Sequence, residues 1–302
     1  MNRRAKMIAV AAASLMLVGA PTAANACAWW GWDGGSHHSR PTPAPTPTED
    51  PSPTPTQEPT PTEEPTEESA PVEDTTPSPA PSDDVTAQPA VQADSAATPP
   101  AASFVEDFNT PALLGQVSSL YKQAWQPYPD GTSGIYAPSK TVSVADGVMN
   151  VALGGAGSAG TFGTSAGAWG HVGGTFSVRA KAEGGDGNGA AFMLWPSSNN
   201  WSDGEIDFPE GNFESSPSGF QHSMVPGRGA EREQIGTNVS WRDWHTYTVN
   251  WVPGKSVTYS VDGTVLKTVT HDVPTTPHRF MFQTGNWGAS GTLQIDWVST
   301  TE

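Results

Sequence analysis

Four carboxylates fall within eight residues in the stretch SDGEIDFPEG, which covers residues 202–211. Three of them, Glu205, Asp207 and Glu210, stand at i, i+2 and i+5. Side chains of a β-strand alternate between two faces, so a regular strand would place Glu210 opposite Glu205 and Asp207. The spacing therefore indicates either an acidic edge strand without chemistry or an irregular strand that brings the three carboxylates together.

A single bulge at Phe208-Pro209 would place all three carboxylates on one face. A bulge adds one residue and resets the alternation, and Pro209 suits it because proline offers no N–H to a strand ladder. Glu205 and Glu210 would then be four strand positions apart, ~13 Å between their Cα atoms. Side chains that lean together reduce the carboxyl separation to about 5–6 Å, close to the spacing in a retaining glycosidase.

Two carboxyls at this spacing can perform acid-base and nucleophilic chemistry on a glycosidic bond. One must be ionised to attack the anomeric carbon, and the other must hold a proton for the leaving oxygen. Crowding raises the pKa of the proton donor, and Asp207 can share a proton with a neighbour. The alternative is an edge strand whose charges prevent aggregation, which would explain the acidity. It does not explain a spacing that places three carboxylates on one face, and such an edge strand would favour lysine.

The first 26 residues have the pattern of an export signal. A basic start with Arg3, Arg4 and Lys6 precedes an apolar run over residues 7–20, and Ala24-Asn25-Ala26 forms an A-x-A cleavage site. The apolar run is too short for a stable membrane anchor, so the sequence predicts a secreted protein.

Cys27 follows that site directly and is the single cysteine, which excludes an internal disulfide and thiolate metal clusters. Its position also fits a lipid anchor at Cys27, although Ala24 is smaller than the residue that lipoprotein signals prefer. Free secretion is the favoured interpretation, and lipid anchoring stays open as the alternative.

Two segments separate this signal from the rest of the chain. Residues 27–40 form a short Trp/His-rich tail, interpreted as a flexible segment with the cell wall or envelope as its candidate partner and with metal or carbohydrate binding as the alternative. Residues 41–102 are rich in Pro, Thr and Glu, with too few apolar residues to repay the entropy of folding, and predict a disordered linker. Residues 41–100 hold 12 acidic and no basic residues, so most of the net charge of −17 belongs there. No basic patch indicates nucleic-acid binding.

Residues 103–302 predict an all-β domain. Apolar and polar residues alternate between Gly, Pro, Asn and Asp turns, which is typical of a β-sandwich or barrel with short antiparallel strands. Asp262-Gly263 and Pro253-Gly254 predict hairpin turns, and residues 111–122 predict a short helix. The predicted strands lie in KTVSVADGVMNVAL, GGTFSVRAKA, GAAFMLWP, HTYTVNWVPGKSVTYSVDGTVLKTVT, HRFMFQTG and TLQIDWVST.

The stretch DGEIDFPEG resembles the active-site signature of glycoside hydrolase family 16, in its E-x-D-x-x-E form. The stretches GGTFSVRAKAEGGDGNGAAFMLWP upstream and DWHTYTVNWVPGKSVTYSVDGTVL and LQIDWVST downstream resemble the family in order and spacing. The resemblance implies a jelly-roll, concanavalin-like β-sandwich of two curved antiparallel sheets with a concave substrate cleft. It also implies a retaining mechanism with Glu205 as nucleophile, Asp207 as its assistant and Glu210 as acid/base. Pro209 departs from the Val or Met of many members.

Sugar rings stack on aromatic faces, which makes cleft tryptophans the natural binding platforms. The candidates are a set of aromatic and polar residues near the catalytic strand, with ordinary packing as the alternative for each: Trp195, Trp201, His222, Gln283 and Trp287. Trp244, His245 and Trp251 are interpreted as core or edge residues.

No cofactor is expected for catalysis. Family members often hold a structural calcium ion, a hard cation that prefers oxygen ligands. The matching candidates are Glu106, Asp107 and Asp296, with simple surface acidity as the alternative. We expect a monomer whose partner is a polysaccharide.

Three functional hypotheses follow. The first is a secreted endo-acting hydrolase of β-1,3 or mixed β-1,3/1,4 glucan. The second is a transglycosylase, or a hydrolase of another polysaccharide such as a galactan or an exopolysaccharide. The third is a non-catalytic carbohydrate-binding module, because a fold alone does not give a function.

Overall fold

The structure is a computed structural model that describes residues 103–285 and 287–302. The predicted signal peptide (1–26), the tail (27–40) with Cys27 and the linker (41–102) lie outside the described residues.

The described chain is built from short strands. Two helices of one turn each, α1 (Val117–Leu120) and α2 (Pro138–Thr141), and 3-10 turns at Thr132–Gly134 and Trp201–Asp203 lie between them. The fifteen strands found in these residues are β1 (Phe104–Glu106), β2 (Trp125–Pro127), β3 (Val142–Ala145), β4 (Val148–Leu153), β5 (Ala159–Phe162), β6 (Gly174–Gly184), β7 (Gly189–Pro196), β8 (Ile206–Asn212), β9 (Ser218–His222), β10 (Arg232–Gly236), β11 (His245–Val252), β12 (Ser256–Val261), β13 (Thr264–Val269), β14 (His278–Thr284) and β15 (Gly291–Thr301).

The strands form two antiparallel sheets. The eight-stranded sheet has the order β13-β12-β11-β6-β15-β4-β3, with β1 paired to β15. The seven-stranded sheet has the order β10-β9-β8-β7-β14-β5-β2. About half of the paired neighbours are strands that are distant in sequence, as in a jelly roll. The predicted all-β sandwich is confirmed.

Local sequence signals correspond to the observed turns. Asp262 and Gly263 join β12 to β13 and both have positive φ, 49° and 77°, as a type I′ hairpin requires. The predicted helix over residues 111–122 is wrong in extent, since only Val117–Leu120 is helical. Its first residues pair with β3 instead, because the Ala112 N–H donates to Val144 O at 2.9 Å, and Gly115 interrupts the helix with φ of 80°.

The hydrophobic core fills the space between the sheets. It takes Phe192 and Leu194 from β7, Phe280 and Phe282 from β14, and Trp251 from β11, all buried. Trp251 is thus a core residue as expected. Trp244 lies half-buried against Arg179 and Lys181, and His245 contacts Asp262 at 2.7 Å. No helix in residues 103–285 or 287–302 is long and apolar enough to cross a membrane.

Residues that alternate with this core in the seven-stranded sheet define its outward surface, which we term the carboxylate face. On β7 and β14 it consists of Ala191, Met193, Trp195, Arg279, Met281 and Gln283, which alternate with core residues. Cross-strand pairs share a face, so Asp207 opposite Met193 and Glu210 opposite Ala191 belong to it. The fold therefore collects the acidic strand and its neighbours on one surface.

Candidate active site

The predicted irregularity in the acidic strand is present. The register of β8 against β9 shifts between Asp207 and Glu210, and its register against β7 shifts at the facing position. The Phe208-Pro209 peptide bond is cis. Ile206 and Phe208 point into the core, so the extra residue turns Glu210 to the face of Asp207.

The three carboxyls form one contiguous cluster. Asp207 is in hydrogen-bonding contact with Glu205 on one side and Glu210 on the other. As bare carboxylates these oxygens only accept, so each contact becomes a hydrogen bond when one carboxyl of the pair is protonated. Glu205 and Asp207 are 7% and 1% exposed, whereas Glu210 is partly open to solvent.

Burial and mutual repulsion keep protons on this cluster. Burial, followed by the charge of Asp207, raises the pKa of Glu205 well above its ordinary value. Burial and the charge of Glu210 do the same for Asp207, and burial raises the pKa of Glu210 against the opposing charges of His222 and Arg232. The raised pKa values allow the cluster to present an ionised carboxyl beside a protonated one. That arrangement supplies a nucleophile and an acid together.

His222, a predicted binding residue, lies directly against Asp207. Its Nδ1 is 2.7 Å from the carbonyl oxygen of Gly229, and its Nε2 is 2.9 Å from Oδ2 of Asp207. A carbonyl oxygen only accepts, so Nδ1 carries the ring hydrogen, and Nε2 makes a close polar contact with Oδ2 of Asp207. His222 therefore lies directly against the carboxyl of Asp207.

Trp201, another predicted binding residue, packs behind His222. The two ring centroids are 5.5 Å apart, and the turn that holds Trp201 is capped by Asn200 Oδ1, which accepts from Ser202 N–H. The backbone of Gly229 lies on the indole, since a Cβ there would be 2.5 Å from the ring. The structure thus brings Trp201 to the site through His222.

The other three predicted binding residues lie at different distances from the carboxyls. Trp195 is buried on β7, and its N–H donates to Asn199 Oδ1 at 3.1 Å. Gln283 is two strands from Glu210 through Ala191, and its Oε1 accepts from Tyr136 O–H at 2.8 Å. Trp287 is 53% exposed in the loop after β14.

A buried histidine that the sequence analysis missed anchors the start of the acidic strand. His278 Nδ1 is 2.8 Å from Thr276 O, and Nε2 is 3.0 Å from the carbonyl oxygen of Gly204, the residue before Glu205. Both partners only accept, so both contacts are satisfied when each ring nitrogen carries a proton. Burial lowers the pKa of His278, and the two carbonyl contacts oppose that shift.

Gly204 itself is confined from the other side. Its φ is 102°, and a Cβ would be 2.5 Å from Cγ of Pro274. No local sequence motif could have predicted the role of His278, because Gly204, whose carbonyl oxygen it contacts, is 74 residues away.

Two of the carboxylates expected for calcium have partners within the chain. Asp296 is paired with Arg179, whose Nη1 is 2.7 Å from its Oδ2, and Glu106 Oε1 accepts from the N–H of Phe108. Among the described residues, one set of acidic and histidine side chains has ligand atoms within 4.8 Å of one another, and it is Glu205, Asp207 and His222. Calcium binding by Glu106 or Asp107 with Asp296 stays a prediction, because backbone carbonyls can complete such a site.

We assign the cluster of Glu205, Asp207 and His222 to proton chemistry. The ring nitrogens of His222 already face Gly229 O and Asp207, which leaves neither nitrogen free as a metal ligand.

Comparison with known proteins agrees with this geometry. The model of the family described as glycosyl hydrolases family 16 matches residues 138–299, which is more than half of the chain. This match includes the acidic strand β8. No curated protein sequence matches the chain significantly.

Solved structures share the fold at low sequence identity. An endo-β-1,3-glucanase from Pyrococcus furiosus has 17% identity and a TM-score of 0.53 over 66% of this chain and 93% of its own. The catalytic domain of a laminarinase from Thermotoga petrophila has 18% identity and a TM-score of 0.51, with 67% and 97% covered. A structure described under endo-acting O-glycanases of the human gut microbiota has 15% identity and a TM-score of 0.53, with 66% and 98% covered.

Proposed function

From its membership of glycosyl hydrolase family 16, which makes this chain a glycoside hydrolase, we propose that it is a secreted, retaining endo-glycosidase of β-1,3 or mixed β-1,3/1,4 glucan. The observation that carries the proposal is the cluster of Glu205, Asp207 and Glu210 on one face of β8, created by the register shift between Asp207 and Glu210. The predicted export signal motivates secretion.

The proposed reaction is a double displacement. The ionised carboxylate of Glu205 attacks the anomeric carbon while Glu210 gives its proton to the leaving glycosidic oxygen, which releases one part of the polysaccharide. Glu210 then removes a proton from a water that attacks the anomeric carbon, and the bond to Glu205 breaks. Two inversions return the original configuration.

Asp207 acts as the proton reserve of this cycle. Asp207 contacts both glutamates, and His222 contacts Asp207 from behind at 2.9 Å. When Glu205 carries the sugar as an ester, its charge disappears and Asp207 can hold negative charge at lower cost. The central carboxyl thus lets charge redistribute between nucleophile and acid without solvent.

The choice of β-glucan is supported by the Pyrococcus furiosus and Thermotoga petrophila proteins, which are described as glucanases. The O-glycanase of similar fold carries a different described activity, so action on another polysaccharide, such as a galactan or exopolysaccharide, is the second candidate. Transfer to a sugar acceptor would use the same intermediate, and a binding module would leave the carboxyl cluster unused.

A polysaccharide panel with product analysis tests the proposal. We expect laminarin or mixed-linkage glucan to lose viscosity faster than reducing ends appear, because cleavage is internal. Proton NMR of the first products should show the β-anomer before mutarotation. Cleavage of galactan alone would favour the second candidate, and exclusive transfer to labelled oligosaccharides would favour a transglycosylase. Sugar binding without any cleavage, or an α-anomer first, would contradict the proposal.

A second prediction concerns His278 as a positioning residue. His278→Phe should lower kcat by about 10- to 100-fold with KM changed less than about twofold, because loss of the donor to Gly204 O releases the backbone beside the nucleophile. His278→Gln keeps one donor and should recover part of the loss. His271, an exposed histidine paired with Glu233, supplies the control His271→Phe. A rise in KM with unchanged kcat would show that His278 does not position Glu205.

A further inference from the structure

Trp169 is a half-exposed tryptophan at the end of the carboxylate face, outside the hydrophobic core and the carboxyl cluster. We propose that Trp169 is the platform of a distal sugar-binding subsite, which takes a pyranose ring of the same polysaccharide beyond the residues at the reaction centre. The inference rests on the proposed function, and it adds a preference for long chains.

The position of Trp169 follows from the strand register. Leu194 of β7 pairs with Ile206 of β8, so the next residue of β7, Trp195, lies opposite Glu205. On its other side, Trp195 pairs with Arg279 of β14. On the other side of Glu205, the backbone N–H of His222 donates to the backbone oxygen of Glu205 at 3.1 Å. These four residues therefore form one row across the sheet. Strands are about 4.8 Å apart, so the row reaches Arg279 at about 10 Å from Glu205.

Trp169 covers Arg279 at the end of this row. The guanidinium carbon lies 5.1 Å from the centroid of the indole, in cation-π geometry. Arg279 is 2% exposed, whereas Trp169 is 37% exposed. One face of the indole therefore contacts the buried cation, and exposed indole surface remains at the edge of the carboxylate face. A sugar ring uses such a surface, because its C–H groups pack on the aromatic ring.

The guanidinium is itself fixed in place by neutral acceptors. Its Nη1 donates to Pro196 O at 3.2 Å and its Nη2 to Asn199 Oδ1 at 2.7 Å. The same Asn199 oxygen accepts from the N–H of Trp195 at 3.1 Å. Burial of a cation that donates to these neutral acceptors is costly, and a fixed support for an aromatic platform is a reason to retain it.

The backbone of Trp169 is also tied to the loop that follows β7. The hydroxyl of Ser197 donates to its carbonyl oxygen, and His171, two residues further on, forms a backbone bridge with His278 of β14. The ring is thus presented by a restrained segment, which reduces the entropy lost when a ligand binds.

Affinity for oligosaccharides of increasing length tests the subsite, measured by calorimetry in a Glu205→Gln background with laminaribiose to laminarihexaose. Trp169→Leu and Trp169→Phe both keep an apolar cover over Arg279. We expect the Leu variant to bind the longest ligand about five- to tenfold more weakly, with the shortest ligand unaffected. The Phe variant should lose no more than about threefold.

Trp244 gives a matched control, because it is a half-buried tryptophan with cation-π contacts to Arg179 and Lys181 from the other sheet. Trp244→Leu should leave the length dependence unchanged. In the active enzyme, Trp169→Leu should raise KM for long chains with little change in kcat on short ones.

Two failures can be told apart. If the wild-type enzyme cleaves no β-glucan of any length, the proposed function fails and the subsite with it. If the wild-type enzyme cleaves β-glucan and Trp169→Leu binds all lengths as the parent does, the subsite alone is wrong. Equal weakening for short and long ligands would also overturn it, because that result indicates a structural role for Trp169.

Discussion

Replacement of Glu205 by Gln is expected to lower kcat on β-glucan by at least about 10⁴-fold, because an amide cannot form the glycosyl ester through which both displacements pass. Secondary structure by circular dichroism should be unchanged, since the side chain keeps its shape. The matched control is Glu183→Gln, which alters an exposed glutamate of β6 beside Lys181 and should keep wild-type activity. Wild-type activity in Glu205→Gln would contradict the assignment of the nucleophile.

Azide distinguishes the roles of Glu205 and Glu210. With an activated aryl β-glycoside, Glu205→Ala leaves a cavity on the nucleophile side, so azide should attack the substrate directly and give an α-glycosyl azide. Glu210→Ala still forms the ester, and azide should then replace water and give the β-glycosyl azide. The opposite pairing of products would exchange the roles of Glu205 and Glu210.

The sequence alone predicted the strand that holds the three carboxyls and the reason for its irregularity. The conflict between a period of two and the spacing of Glu205, Asp207 and Glu210 required an extra residue, and the register of β8 shifts where that residue was expected. Alternation also predicted the long strands β6, β7, β11 and β14. These features are local, so a single sequence contains them.

The residues that hold the site in place could not be predicted in this way. Arg279 meets Asn199 across 80 residues, and His278 meets Gly204 across 74. Neither contact leaves a periodic trace in the sequence. Strand β5 has only four residues, AGTF, all of them buried, so it is too short to give a periodic signal.

Two histidines contact the acidic strand from opposite sides, one on its neighbour β9 and one on β14, the strand beyond β7. His222 of β9 contacts the carboxyl of Asp207, and His278 of β14 holds the carbonyl before Glu205. Both lie at the end of a strand that was expected to contribute to substrate binding. We expect loop residues such as Trp169 to bind sugar while strand ends set the position of the carboxyls, which is the division that a rigid scaffold favours.

The catalytic cluster should make the folded protein less stable as pH rises. Burial raises the folded-state pKa of Glu205 and Asp207 well above their ordinary values of 4.5 and 3.8, and that of Glu210 above 4.5. Folded protein therefore keeps protons that the unfolded chain releases. The favourable contribution of the protonated carboxyls is complete below the unfolded values, and it is lost as pH rises through the raised folded values.

Comparison of wild type with Glu205→Gln isolates this effect, because the contributions of all distant titrating groups cancel in the difference. Gln stays neutral at every pH and relieves the charge on Asp207, so the variant should melt at the same temperature as wild type near pH 4 and about 2–6 °C higher near pH 8. Scanning calorimetry from pH 4 to 8 measures the difference, and Glu183→Gln should show no trend. If Glu205→Gln were less stable than wild type at every pH, the carboxylate would be needed for packing. If the difference in melting temperature between Glu205→Gln and wild type rises with pH, the close packing of the three carboxyls lowers the stability of the fold.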